Sequence, residues 1–132
     1  MANSKHILII RACEYIDQNL SKKITLTDLM NHSQYSERSI QLIFKKHFNL
    51  TPFEYIEEQR LLKAYELIKK YKNTKNISDV ATEVGLNHLG RFSVKFRKRF
   101  EISPSQHRKN LEISKPQIIA DQSISEIEMV AQ

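Results

Sequence analysis

Two short runs of this 132-residue chain hold side chains that can grip a polyanion. Arg38, Gln41, Lys45 and Lys46 stand in one run; Arg91, Lys95, Arg97 and Lys98 stand in the other. A guanidinium can donate two parallel hydrogen bonds to a guanine edge, and a carboxamide can pair with adenine. Lysine ammonium groups hold phosphate oxygens as point charges.

The two runs belong to a larger repeat. Thr25, Asp28, Leu29 and Tyr35 fall on Asn76, Asp79, Val80 and Leu86 at an offset of 51 positions. Ile40, Phe44, Lys45, Lys46, Phe48, Leu50 and Pro52 then fall on Phe92, Phe96, Arg97, Lys98, Phe100, Ile102 and Pro104 at an offset of 52. The slip of one residue lies between the two helices of each unit, where a turn absorbs an insertion. Solenoids need about three or more units to be stable, so two copies indicate a duplicated module.

The elements that must carry these residues follow from apolar spacing. Ile9, Cys13, Ile16 and Leu20 recur at helical intervals, which predicts an opening helix over about residues 5–20. Thr25-x-x-Asp28 resembles a capping box and predicts a short helix over about 26–33. Ser36 is suited to cap a third helix ending near Phe48, with Ile40, Ile43, Phe44 and Phe48 as its buried stripe. Short helix, tight turn and amphipathic helix make a helix-turn-helix. Thr51-Pro52-Phe53-Glu54 starts a long helix to about Tyr71, and Ser103-Pro104-Ser105-Gln106 repeats that start with Gln for Glu. In the second unit Asn76-x-x-Asp79 opens a helix, Gly85 supplies the turn, and about 88–100 forms the second amphipathic helix. Gln34 stands where Gly85 stands in the copy, so it either bears strain or adopts another turn. The fold expected is all-α, two helix-turn-helix subdomains joined by a long linker helix, about seven helices in total.

Composition agrees and narrows the class. Gly counts two and Pro three, while 40% of residues are apolar, which favours helices that share a core. Residues 1–110 hold 20 basic against 11 acidic groups; residues 111–132 hold one basic and four acidic. The basic excess points to a polyanionic partner, although a solvated basic surface gives the same count. Cys13 is alone, so neither a disulfide nor a cysteine zinc site can form within the chain. The apolar run Ile7–Ile10 stops at Arg11, too short for a membrane span. The histidines at 6, 32, 47, 88 and 107 show no ligand spacing, and no phosphate-cradling glycine loop exists. No catalysis, cofactor or metal is expected, and a cytoplasmic, nucleoid-associated location is.

With Phe92, Phe96 and Phe100 inward, a 100° step per residue puts Gly90, Arg91, Val94 and Lys98 outward, flanked by Lys95 and Arg97. The same construction exposes Arg38, Leu42, Lys45 and Lys46 in the first unit, with Gln41 at the edge. A helix-turn-helix reads bases with the first turns of its second helix and holds phosphates further along. Arg38 and Gln41 then suit bases, Leu42 and Val94 suit a thymine methyl, and Lys45, Lys46, Arg97 and Lys98 suit phosphates. Arg91 suits either. A linker of twenty residues spans about 30 Å, near the roughly 34 Å between major-groove faces one turn apart.

The run Ser36-Glu37-Arg38-Ser39-Ile40-Gln41-Leu42-Ile43-Phe44-Lys45-Lys46 resembles the DNA-binding domain of the AraC/XylS transcription regulators. So do Gly85-Leu86 through Arg91-Phe92-Ser93 to Phe96-Arg97, and Ser103-Pro104-Ser105-Gln106-His107-Arg108. The likeness covers about residues 7–109. It implies a bacterial transcription factor, commonly an activator, with double-stranded DNA as its ligand and RNA polymerase as a candidate partner. Carried over by position, base contacts fall on Arg38, Gln41 and Leu42, and near Leu89, Gly90, Arg91, Ser93 and Val94. Phosphate contacts are assigned to Ser36, Lys45, Lys46, Lys95, Arg97 and Lys98. Leu42 and Val94 are apolar where many members are polar or basic, which points the second unit toward affinity and shape readout.

The expected division is 1–50 for the opening helix and first helix-turn-helix, 51–75 for linker helix and loop, 76–110 for the second, and 111–132 for a flexible polar acidic tail. Two non-identical heads on one chain imply a monomer reading an asymmetric site. A helical protein-interaction module is the rival from another class, and the DNA-binding fragment of a longer ligand-gated regulator is the rival within it.

Overall fold

The computed structural model describes residues 3–111; of the tail assigned above to 111–132, Leu111 is helical and packs against the core, and the rest lies outside the described residues. Six helices run in the order α1 (Asn3–Gln18), α2 (Leu26–Ser33), α3 (Glu37–Phe48), α4 (Pro52–Tyr71), α5 (Ile77–Glu83) and α6 (Leu89–Phe100). A seventh, α7, covers 104–111, and no strand occurs among the described residues. The all-α fold with a long central helix is the one expected.

Capping chemistry sets most of the starts. Asp28 donates its N–H to Thr25 Oγ1 at 3.1 Å, and its carboxylate accepts the Thr25 N–H at 2.9 Å. The backbone bond from Thr25, with the hydroxyl beside it, holds the Asp28 carboxyl below its ordinary range. Thr51 and Glu54 form the same reciprocal pair at 3.1 and 2.8 Å ahead of Pro52. The second unit keeps only half of each device. Asn76 Oδ1 accepts from Asp79 N–H at 2.7 Å, and Ser103 Oγ accepts from Gln106 N–H at 3.0 Å. Gln106 does not turn back to its cap as expected, because its amide finds Asn110 Oδ1 one helical turn on, at 2.8 Å.

Both helix-turn-helix turns pass through the left-handed region, at Gln34 (φ 67°) and Gly85 (φ 85°). Gln34 therefore bears the strain rather than choosing another turn, a cost of about 1–2 kcal/mol for a residue with a Cβ. Its N–H reaches Met30 O at 2.8 Å and its side chain reaches Asn31 O at 3.0 Å, which anchor the turn. Gly85 has a second reason to be glycine. A Cβ there would lie 2.2 Å from the Leu20 carbonyl oxygen.

Apolar residues gather into two clusters. The first joins Ile9, Ile16, Leu29, Ile40, Phe44 and Ile56; the second joins Leu61, Leu67, Ile68, Val84, Phe92 and Phe96, among others. Helix α4 thus gives its first turns to one core and the rest to the other, and is no free-standing strut. Cys13 is half-buried against the first core, and burial pushes its thiol up. Phe48 departs from the expected buried stripe: it is 37% exposed and leans on the Tyr55 ring with centroids 4.5 Å apart. It stands in the last turn of α3, beyond the layer that Ile40 and Phe44 seal.

Candidate nucleic-acid interface

The second helix of each unit buries one stripe and presents another. In α3 the buried residues are Ile40, Ile43 and Phe44; in α6 they are Phe92 and Phe96. On the outer face of α3, Arg38, Gln41, Leu42, Lys45 and Lys46 are all exposed. On α6 the exposed set is Leu89, Gly90, Arg91, Val94, Arg97 and Lys98. Leu42 and Val94 are exposed by 57% and 68%. Ser93 is half-buried, since it stands beside Phe92 on the flank of the inward stripe.

Charge on these faces is mostly uncommitted. Among the described residues Arg38, Lys45, Lys46, Arg91, Arg97 and Lys98 form no ion pair. Part of their purpose is local: each helix ends in a basic turn, Lys45-Lys46-His47 or Arg97-Lys98-Arg99, against the negative end of its dipole. That local gain is served by one cation and does not need three. Arg38 and Arg91, near the opposite ends, gain nothing from the dipole.

The helix starts differ. Ser36 caps α3, its Oγ accepting the Ser39 N–H at 3.2 Å and donating to Ser39 Oγ at 3.0 Å. His88 precedes α6 and offers no side-chain cap, which leaves first-turn N–H groups open to an anion. Gly90 faces open space; a Cβ there would meet nothing within 4 Å. Packing inside the chain does not require that glycine.

Three partners escaped the sequence reading. Lys95 pairs with Glu57 of α4 and is half-buried, so it is already engaged where a phosphate contact was expected. Arg99 Nη2 reaches Glu58 at 2.8 Å. Arg60 donates to the carbonyls of Leu20 and Lys22 at 3.1 and 2.8 Å. These links cross about 40 positions of sequence, beyond any periodic signal. The Glu57–Lys95 and Glu58–Arg99 pairs line an open groove, with Phe48 and Leu50 at the end of α3 and Val94 and Lys98 of α6 also bordering it. The end of α3 and the outer face of α6 therefore border one groove. No group of three His, Cys, Asp or Glu able to hold a metal occurs among the described residues, and no described helix is long and apolar enough to cross a membrane.

A helix-turn-helix domain model matches residues 29–110, from within α2 of the first unit to the end of the second. The chain belongs to the AraC/XylS family of helix-turn-helix domains. Over 97 residues it is 35% identical to the XylDLEGF operon transcriptional activator 2 of Pseudomonas putida, a match covering 72% of this chain and 61% of the activator. The match thus spans less than two thirds of that relative. A transcriptional regulator from Chromobacterium violaceum with an AraC-type DNA-binding domain superposes with a TM-score of 0.76 at 23% identity, covering 84% of this chain and 96% of that one. The C-terminal domain of the two-component response regulator yesN from Fusobacterium nucleatum gives 0.62 at 26%, covering 80% and 98%. The first two of these proteins are named as transcription regulators. The AraC/XylS domain described here is a DNA-binding module of the same kind.

Proposed function

We propose that the chain binds one asymmetric site on double-stranded DNA as a monomer, with α3 and α6 in successive major-groove segments, and activates transcription. Two equivalent exposed faces with uncommitted cations carry this reading. Arg38, Gln41 and Leu42 read bases in the first segment. Leu89, Gly90, Arg91, Ser93 and Val94 line the second, where open N–H groups at the start of α6 and the bare backbone of Gly90 favour close approach to the strand. Ser36, Lys45, Lys46, Lys95, Arg97 and Lys98 hold phosphates, Lys95 by exchanging Glu57 for the DNA. The heads are the units at 1–50 and 76–110, with 51–75 between them.

RNA polymerase is the further partner proposed, the cytoplasmic nucleoid is the place of action, and an effector domain or partner protein controls occupancy. A second Pseudomonas putida relative, the XylDLEGF operon transcriptional activator, of which the match covers only 30%, supports the last point. Selection of bound duplexes from a random pool, followed by titration at several salt concentrations, tests the reading. A directional consensus with two unlike halves about one helical turn apart is expected, with affinity falling steeply in salt. A palindromic consensus bound by two chains overturns the monomer, and salt-independent binding to protein alone overturns the function.

A further inference from the structure

The two cores divide the sequence cleanly, the first ending at Ile56 and the second starting at Leu61. A single helix crossing between two separate cores is by itself a weak determinant of how they sit. Three ties are concentrated on the four residues between. Glu57 and Glu58 hold Lys95 and Arg99 of α6. Arg60, half-buried, turns the other way, its Nε donating to Leu20 O at 3.1 Å and its Nη2 to Lys22 O at 2.8 Å.

Leu20 closes the first core just after α1, and α1 has no basic residue in its own last turn. Arg60 supplies from α4 the donors for two carbonyls of the turn that follows α1. The second head meets the same oxygen. Gly85, in the turn between α5 and α6, sits where a Cβ would lie 2.2 Å from Leu20 O and 3.0 Å from Arg60 Nε. One carbonyl and one guanidinium therefore join the end of α1, the middle of α4 and the turn ahead of α6.

We propose that Arg60 is a positioning residue that locks the two DNA-binding heads at one separation and rotation, so that the protein accepts a single spacing between half-sites. This rests on the two-headed reading above. Inserting one base pair shifts a half-site by about 3.4 Å along the axis and by about 35° around it, which a locked pair of heads cannot follow. Loss of Arg60 leaves each head folded and frees the joint.

The test measures binding to a selected duplex and to duplexes with one base pair inserted or removed between the halves. The unaltered chain should lose about tenfold or more on either change. Arg60→Met should bind the original duplex more weakly, discriminate between spacings by less than about threefold, and keep its affinity for a single half-site. Arg60→Lys, with charge but no fork, should fall between. A second arm needs no DNA: spin labels at Asn31→Cys and Ser78→Cys, in a Cys13→Ser background, should give a narrow distance distribution that Arg60→Met broadens. Unchanged spacing discrimination and an unchanged distribution in Arg60→Met overturn the proposal, as does tolerance of the extra base pair by the unaltered chain. If Arg60→Met fails to fold, the spacing series on the unaltered chain and on Arg60→Lys decides. A narrow distribution with no site-specific duplex binding would leave the joint standing and sink the DNA reading.

Discussion

Tyr65 and His107 stack with ring centroids 4.0 Å apart and planes 21° from parallel. The His107 Nε2 also meets the Tyr65 carbonyl oxygen at 3.3 Å, so α7 is held on α4 by an imidazole that is 4% exposed. Burial is the main cause that pushes this imidazole below its ordinary 6.5, opposed by the bond to Tyr65.

A depressed folded pKa means that the unfolded chain binds the proton more readily. The contribution of His107 is then complete above about pH 6.5 and is lost as pH falls through its folded value. Urea unfolding at pH 7.5 and at pH 5.5 should show the second unit less stable at the lower pH. His107→Phe, which keeps the stack without a titrating ring, should flatten the difference; an equal pH dependence in that variant would assign the loss to other groups.

The helices were legible because caps and apolar spacing are local. Thr25, Ser36, Thr51 and Asn76 each start a helix at the expected position. The outward faces of α3 and α6 followed from the 100° step, with Lys95 half-buried on the flank where that step put it; Ser93, carried over from the family pattern, borders the inward stripe. What stayed hidden depends on tertiary approach. Nothing near Arg60 in sequence announces that it will meet Leu20, and Glu57 gives no local sign of Lys95. Gly85 was legible as a turn residue but not as the point of contact between the two units.

The two glycines should respond in opposite ways. Gly85→Ala combines left-handed strain with overlap on Leu20 O, an expected loss of about 2–5 kcal/mol. Gly90→Ala enters open helical space and should gain about 0.5–1 kcal/mol. Denaturant midpoints at constant m-value check both, and DNA affinity of Gly90→Ala checks whether backbone approach matters there.

Arg38→Ala should cost about 1–3 kcal/mol on the selected duplex and relax preference at one base pair. Lys98→Ala should weaken every duplex alike and lower the salt slope by about one. Equal losses on selected and random duplex for Arg38→Ala would remove Arg38 from the base-reading set.

Glu57→Gln separates the two demands on Lys95. The pair is half-exposed, so its loss should change stability by no more than about 1 kcal/mol. Freed from Glu57, Lys95 should bind phosphate without first breaking an ion pair, and nonspecific duplex affinity at low salt should rise. No change in affinity would place Lys95 outside the DNA contact altogether.

The clean break between the clusters also has a meaning in time. Every residue of the first core precedes position 57, and every residue of the second follows position 60. A ribosome therefore polymerises a complete set of contacts for one head before it adds the first contact of the other. The later head cannot close until Phe96 and α7 have emerged. Synthesis presents the pair in a fixed order, and the earlier head is a finished surface on which the turn at Gly85 comes to rest.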